Sequence, residues 1–123
     1  MDKKFIKTKA IPRKPQVKKL SFHQNYNPHL KEIMKYSVEM WGKRVAKEFL
    51  AEIKQKIITM RNIPNIYGRC SFVDSTDNQI FRNIIVRSYY IVYVVTPTEI
   101  TVLDIIHQAV APENIKKRIE NIR

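Results

Sequence analysis

The chain has 123 residues, is 44% hydrophobic and carries a formal net charge of +12. That bounds it to one domain with a modest core and directs it towards polyanionic partners. Its only cysteine, Cys70, excludes an intramolecular disulfide, no apolar run could span a bilayer, and the N-terminus lacks the apolar segment of a secretory signal. A cytoplasmic protein with no membrane partner is therefore expected. The charge is uneven: residues 1–19 hold eight Lys and Arg against one Asp, a net of +7, and the remainder is net +5.

Residues 1–16 carry many lysines with Pro12 and Pro15. They have no face to bury and are expected to form a basic, disordered leader, with residues 17–123 as a single folded domain. The leader is either a solvated tail or a grip on nucleic acid. Val17–Phe22 roughly alternates apolar and polar, which predicts a first strand. Asn27-Pro28 predicts a helix start, followed by a stripe of Leu30, Ile33, Met34, Ser37 and Trp41 and a stop at Gly42. A second helix is predicted from Lys43 to about Met60, with Val45, Ala46, Phe49, Leu50, Ile53, Ile57 and Met60 on its packed side. Ile63-Pro64 ends it, because the residue before proline disfavours the α region. Residues 65–79 read as a connection with room for a short strand at Arg69–Val73.

Three β-rich runs follow: Ile80–Val86, Tyr89–Val95 and Glu99–Ile106, broken at Arg87-Ser88 and Thr96-Pro97-Thr98. They predict an antiparallel meander. Both parities of Tyr89–Val95 are apolar or aromatic, so this strand is expected at the centre, covered on both faces. Pro112 opens a short final helix with Ile115, Ile119 and Ile122 on one side. The predicted architecture is α+β, in the order β-α-α-β-β-β, with a helical hairpin packed on one antiparallel sheet and a C-terminal helix.

No metal or cofactor is expected. His23, His29 and His107 are scattered, one cysteine cannot build a zinc site, and two glycines form no phosphate loop. What remains is a basic and aromatic set around the sheet. If the protein is a metal-free ribonuclease, Arg82, Arg87 and His107 are the catalytic candidates, because Arg stabilises developing phosphate charge and His moves protons near neutrality. Arg69, Tyr89, Tyr90 and Tyr93 are the candidates for holding nucleic acid by charge and stacking. The competing roles are core packing for the tyrosines, a strand-end position for His107, and an internal pairing for Arg82, whose charge would be costly unpaired in an apolar strand.

Several segments resemble the RelE/ParE superfamily of type II toxin–antitoxin toxins. Trp41, Gly42, Ala46, Phe49 and Leu50 are similar to its W-G…A..F hairpin pattern, and Ile63–Arg69 to its P..G. turn. Arg82, Tyr90, Ile91 and Tyr93 resemble the R……Y.I.Y strand pattern, and Ile100, Val102, Ile106, His107 and Pro112 the closing I.I..I.H..R.P pattern. The matching elements run from about Val17 to Ile115. The resemblance implies a toxin of the plasmid-stabilisation type, neutralised in a hetero-oligomer by the acidic segment of a cognate antitoxin. It implies one of two targets, DNA gyrase for ParE-like members or mRNA on the ribosome for RelE-like members, and the hairpin leans towards ParE. Gln108-Ala109-Val110 departs from the charged residues the family often carries there. A non-toxic basic nucleic-acid-binding module, or an inactive toxin descendant, is the alternative reading.

Overall fold

The structure is a computed structural model that describes residues 18–122; the basic leader expected at residues 1–16 lies outside the described residues. Strand β1 (Lys19–Phe22) leads into helices α1 (Tyr26–Trp41) and α2 (Lys43–Asn62), then strands β2 (Ile80–Val86), β3 (Tyr89–Val95) and β4 (Glu99–His107), and helix α3 (Pro112–Ile122). This is the α+β order read from the sequence. Helix α1 begins ahead of the Asn27-Pro28 signal. Tyr26 N–H donates to the His23 carbonyl at 3.0 Å and the Asn25 N–H to His23 Nδ1 at 3.1 Å, while the Tyr26 ring is buried. Pro28 therefore sits inside the first turn, where a missing N–H leaves no intrahelical bond unmade. Gly42 (φ 90°) separates the two helices in a backbone region that side chains rarely adopt.

The strand order is β1-β4-β3-β2. β2, β3 and β4 form the expected antiparallel meander, but β1 joins β4 in parallel, so the sheet is mixed rather than wholly antiparallel. The cause is directional. Two tight reversals between β2 and β4 leave β4 running the same way as β2, and the long connection after α2 returns the chain to start β2 in the direction of β1. Arg69–Val73 makes only an isolated bridge, Arg69 to Arg82, in place of a strand.

β3 is central and both its faces are covered. One face packs Ile91, Tyr93 and Val95 against Phe49, Ile53, Ile57 and Met60 of α2, with Leu30, Ile33 and Met34 of α1 alongside. The opposite face packs Val92 and Val94 with Phe81, Leu103 and Ile106 beneath Cys70, Val73 and the α3 residues Ile115 and Ile119. A bulge sets the registration of β4. Val92 pairs with Asp104 but Tyr93 with Val102, which leaves Leu103 unpaired. The extra residue sends Leu103 to the second core while Ile100, Val102 and Ile105 all reach the first.

Ile53 is fully buried, so Ile53→Ala is expected to destabilise the fold by about 2–5 kcal/mol in chemical denaturation. Burial also pushes the Tyr26 phenol from 10.0 up to about 12, and burial pushes Tyr93 upward too. An unfolded tyrosine ionises near pH 10 while the folded one resists, so this contribution is fully present below pH 10 and is lost as pH rises towards about 12. The denaturation midpoint should fall across that window, and Tyr26→Phe should flatten part of the fall.

Candidate functional site

The apolar stripe of α1 loses its cover towards the C-terminal end of the helix. Ser37 is its last buried residue, its hydroxyl donating to the Ile33 carbonyl at 2.8 Å. Trp41, one turn on and expected in the packed stripe, is instead 62% exposed and lines an open cleft rather than the core. Beside it lies a cleft of about 380 Å³ lined by Tyr36, Ser37, Trp41, Val45, Phe49, Arg87, Ser88, Tyr89 and His107. A neighbouring hollow of about 390 Å³ shares Tyr36, Tyr89 and His107 and adds His29, Glu32, Ile33, Ile105, Val110 and Arg118. The shared residues join the two into one groove between α1 and the ends of β3 and β4.

Arg87 closes one end of this groove. It occupies the β2–β3 turn with φ 52°, a left-handed conformation that costs a non-glycine residue roughly 1–2 kcal/mol. In this position its Nε donates to Glu52 Oε1 at 2.8 Å and its guanidinium lies 5.0 Å from the centre of the Phe49 ring. Phe49 in turn meets Tyr89 at 5.6 Å, and Tyr89 meets His107 edge-on at 4.9 Å. Burial, then the nearby Tyr36, pushes the Tyr89 phenol upward. His107 Nδ1 accepts the Ala109 N–H at 2.9 Å. In the neutral ring the proton is therefore on Nε2, which makes His107 a hydrogen-bond donor at its exposed edge.

The other end of the groove is built on a buried carboxylate. Asp104, 1% exposed, lies just beyond the point where β1 stops covering the edge of β4. Its Oδ1 accepts the Ile105 N–H at 2.8 Å and His29 Nδ1 at 2.6 Å, and its Oδ2 accepts from Arg118 Nη2 at 2.8 Å. Arg118 Nη2 also lies 3.1 Å from His29 Nδ1. An ionised carboxylate only accepts, so the 2.6 Å contact places the His29 proton on Nδ1. In the neutral ring Nε2 is then left as an acceptor, oriented as a carboxylate orients a general base. In their neutral forms the two imidazoles of the groove thus present opposite polarity, with a guanidinium beside them.

The seven residues singled out in the sequence separate into different places. Arg87, Tyr89 and His107 meet in the groove. Arg82 is five residues from Arg87, roughly 16 Å along an extended strand, and its Nη1 donates to the Tyr67 carbonyl at 2.7 Å, bracing the connection after α2. Tyr93 is fully buried and its hydroxyl donates to the Pro64 carbonyl at 2.8 Å, so its ring offers no face to a base. Tyr90 and Arg69 line a separate hollow on the opposite face, where Tyr90 packs edge-on against Phe72 at 5.3 Å. His29, Asp104 and Arg118 were not anticipated. Their signal was an acid inside the apolar run Val102–Ile106, where a carboxylate needs cationic partners; the partners, on two other elements, have no mark in the sequence.

Among the described residues no group of His, Cys, Asp and Glu is arranged to hold a metal ion, and no helix is long and apolar enough to cross a membrane.

Residues 20–112 match the sequence model of the family described as the ParE toxin of the type II toxin–antitoxin system, parDE. The chain belongs to that family. No curated protein matches its sequence. A solved structure, the chromosomal ParDE TA system from P. aeruginosa, contains a chain of similar fold, with a TM-score of 0.63, 19% identity, and coverage of 74% of this chain and 96% of that one. The ParE-family match thus runs from the second residue of β1 through the helical hairpin and the whole meander, and ends at the first residue of α3.

Besides the buried Ile115 and Ile119, Arg118 ties α3 to this ParE-family body through an ion pair with Asp104. Arg118→Met, which keeps the aliphatic stem, is expected to cost about 1–2 kcal/mol. It should also raise amide hydrogen exchange in α3 before exchange rises in β3.

Proposed function

We propose that this chain is a growth-inhibiting toxin of a type II toxin–antitoxin pair, held inactive in a cytoplasmic hetero-oligomer by the acidic segment of a cognate antitoxin. Family membership across residues 20–112 carries this reading, and the net charge of +12 supports an acidic partner.

Of the two targets implied by the superfamily, DNA gyrase is the one we infer. The observation in its favour is that the three ribonuclease candidates do not assemble as a set: Arg87 and His107 line one cleft, but Arg82 does not. Arg82 is engaged at the far part of β2, Arg87 is paired with Glu52, and His107 presents an N–H in its neutral form. A neutral imidazole N–H donates a hydrogen bond but does not readily give up its proton, so these three residues do not form an acid–base set around one phosphate. A toxin that acts by binding has no need of such a set.

Induced alone in bacteria, the chain should arrest growth, and co-expression of the neighbouring antitoxin gene should relieve the arrest. Purified protein should inhibit supercoiling by gyrase, and mapped RNA 5′ ends should show no new cuts. Arrest with codon-positioned cuts and unaffected gyrase would replace the gyrase target with mRNA. Soluble expression without arrest would overturn the toxin reading itself.

A further inference from the structure

A hollow of about 330 Å³ lies where β1, α1 and α2 meet, and it shares no lining residue with the groove. Ile53 and Ile57 line it from the core, and Phe22 and Ile58, both exposed, line it from the solvent side. One buried polar group interrupts this apolar wall. Tyr26 is 3% exposed, and its hydroxyl has no hydrogen-bond partner among the described residues. A buried hydroxyl left without a partner is costly. Among the described residues, Arg82 Nε is the one fully enclosed side-chain nitrogen or oxygen that is unpaired. The Tyr26 oxygen therefore keeps an opening, and the hollow is the space that its side chain lines. Burial pushes the phenol up to about 12, so it holds its proton at neutral pH and is a donor. Lys54 also lines the hollow; it is exposed and has no ion-pair partner among the described residues. No acid lines the hollow.

We propose that this hollow binds a medium-chain aliphatic carboxylate, with the chain against Phe22, Ile53, Ile57 and Ile58 and the carboxylate accepting from the Tyr26 hydroxyl and the Lys54 ammonium. Each half of such a ligand answers a feature of the wall. The chain covers apolar side chains that water now reaches. The carboxylate supplies the acceptor that an unpaired phenol and an unpaired ammonium both lack. A cation would be repelled by Lys54, and a neutral alcohol would leave the ammonium without a counter-charge. The volume sets the length: at about 30 Å³ for each water-sized group, the hollow admits roughly ten non-hydrogen atoms, the size of an eight-carbon acid. The net charge of +12 favours an anion further. The proposal is independent of the toxin and gyrase readings, because its test reads binding and not growth or supercoiling.

The test is a titration of the folded full-length chain, isotope-labelled at its isoleucine methyl groups, with hexanoate, octanoate, decanoate, dodecanoate and octanol. Saturable shifts of the Ile57 and Ile58 methyl resonances are expected with octanoate. From hexanoate to octanoate each methylene should tighten binding about fourfold, and the gain should stop once the hollow is full. Octanol should bind about tenfold more weakly than octanoate. Tyr26→Phe keeps the buried ring and Lys54→Met keeps an exposed aliphatic stem, so folding should survive in both. Each should weaken octanoate about tenfold, and Lys54→Met should leave octanol unchanged. No saturable shift at millimolar octanoate, affinity that goes on rising through dodecanoate, equal binding of octanol, or unchanged affinity in either folded variant would overturn the proposal. Shifts that follow protein concentration instead of ligand would overturn it too, and would assign the hollow to a second copy of the chain.

Discussion

The constraint on which the fold depends is the burial of β3 on both faces. Ile91, Tyr93 and Val95 point one way and Val92 and Val94 the other, and all are almost completely withdrawn from water. A strand of this kind cannot end a fold or lie at its surface; it needs neighbours on each side and a layer over each face. β2 and β4 provide the first, the α1–α2 hairpin covers one face, and α3 with the segment around Cys70 and Val73 covers the other. α3 has only eleven residues and would be marginal alone. Its helical state depends on the far face of the sheet that Ile115 and Ile119 close.

Asp104 links those two layers. The bulge at Leu103 brings a carboxylate to the edge of β4 that β1 leaves uncovered, and His29 from α1 and Arg118 from α3 converge on it. Taking a charge out of water is costly, and the cost is offset only when its partners are well placed. Here three donors meet the two oxygens. The same arrangement determines which nitrogen of His29 carries the proton and so the polarity of one half of the groove. A feature of stability and a feature of ligand chemistry therefore rest on one side chain.

The groove lies between α1 and the ends of β3 and β4. Past Ser37 the helix still carries Trp41, which stays in solvent where it lines the groove with Phe49, Tyr89 and Arg87. Arg87 accepts a left-handed backbone to occupy the turn below. Strain at such a position persists only where surrounding contacts hold it, and here Glu52 and the Phe49 ring do so.

Local pattern was enough to place the elements. Apolar periodicity marked the two long helices and the meander, the double-sided apolar run marked β3 as central, and Pro112 marked the start of α3. These are properties of neighbouring residues, set by helix and strand geometry within a few positions. The parallel placement of β1 was not legible, since strand direction depends on the path of the whole intervening chain. Nor was the division of the site. Arg82, Tyr93, Tyr90 and Arg69 carry the same residue chemistry as Arg87, Tyr89 and His107, and only packing decided which were consumed in bracing the fold and which were left facing the groove. The His29–Asp104–Arg118 cluster joins residues up to eighty-nine positions apart. Composition can demand that a buried carboxylate find a cation; only the tertiary structure chooses which one, because that choice is made by the distance between surfaces brought together in folding.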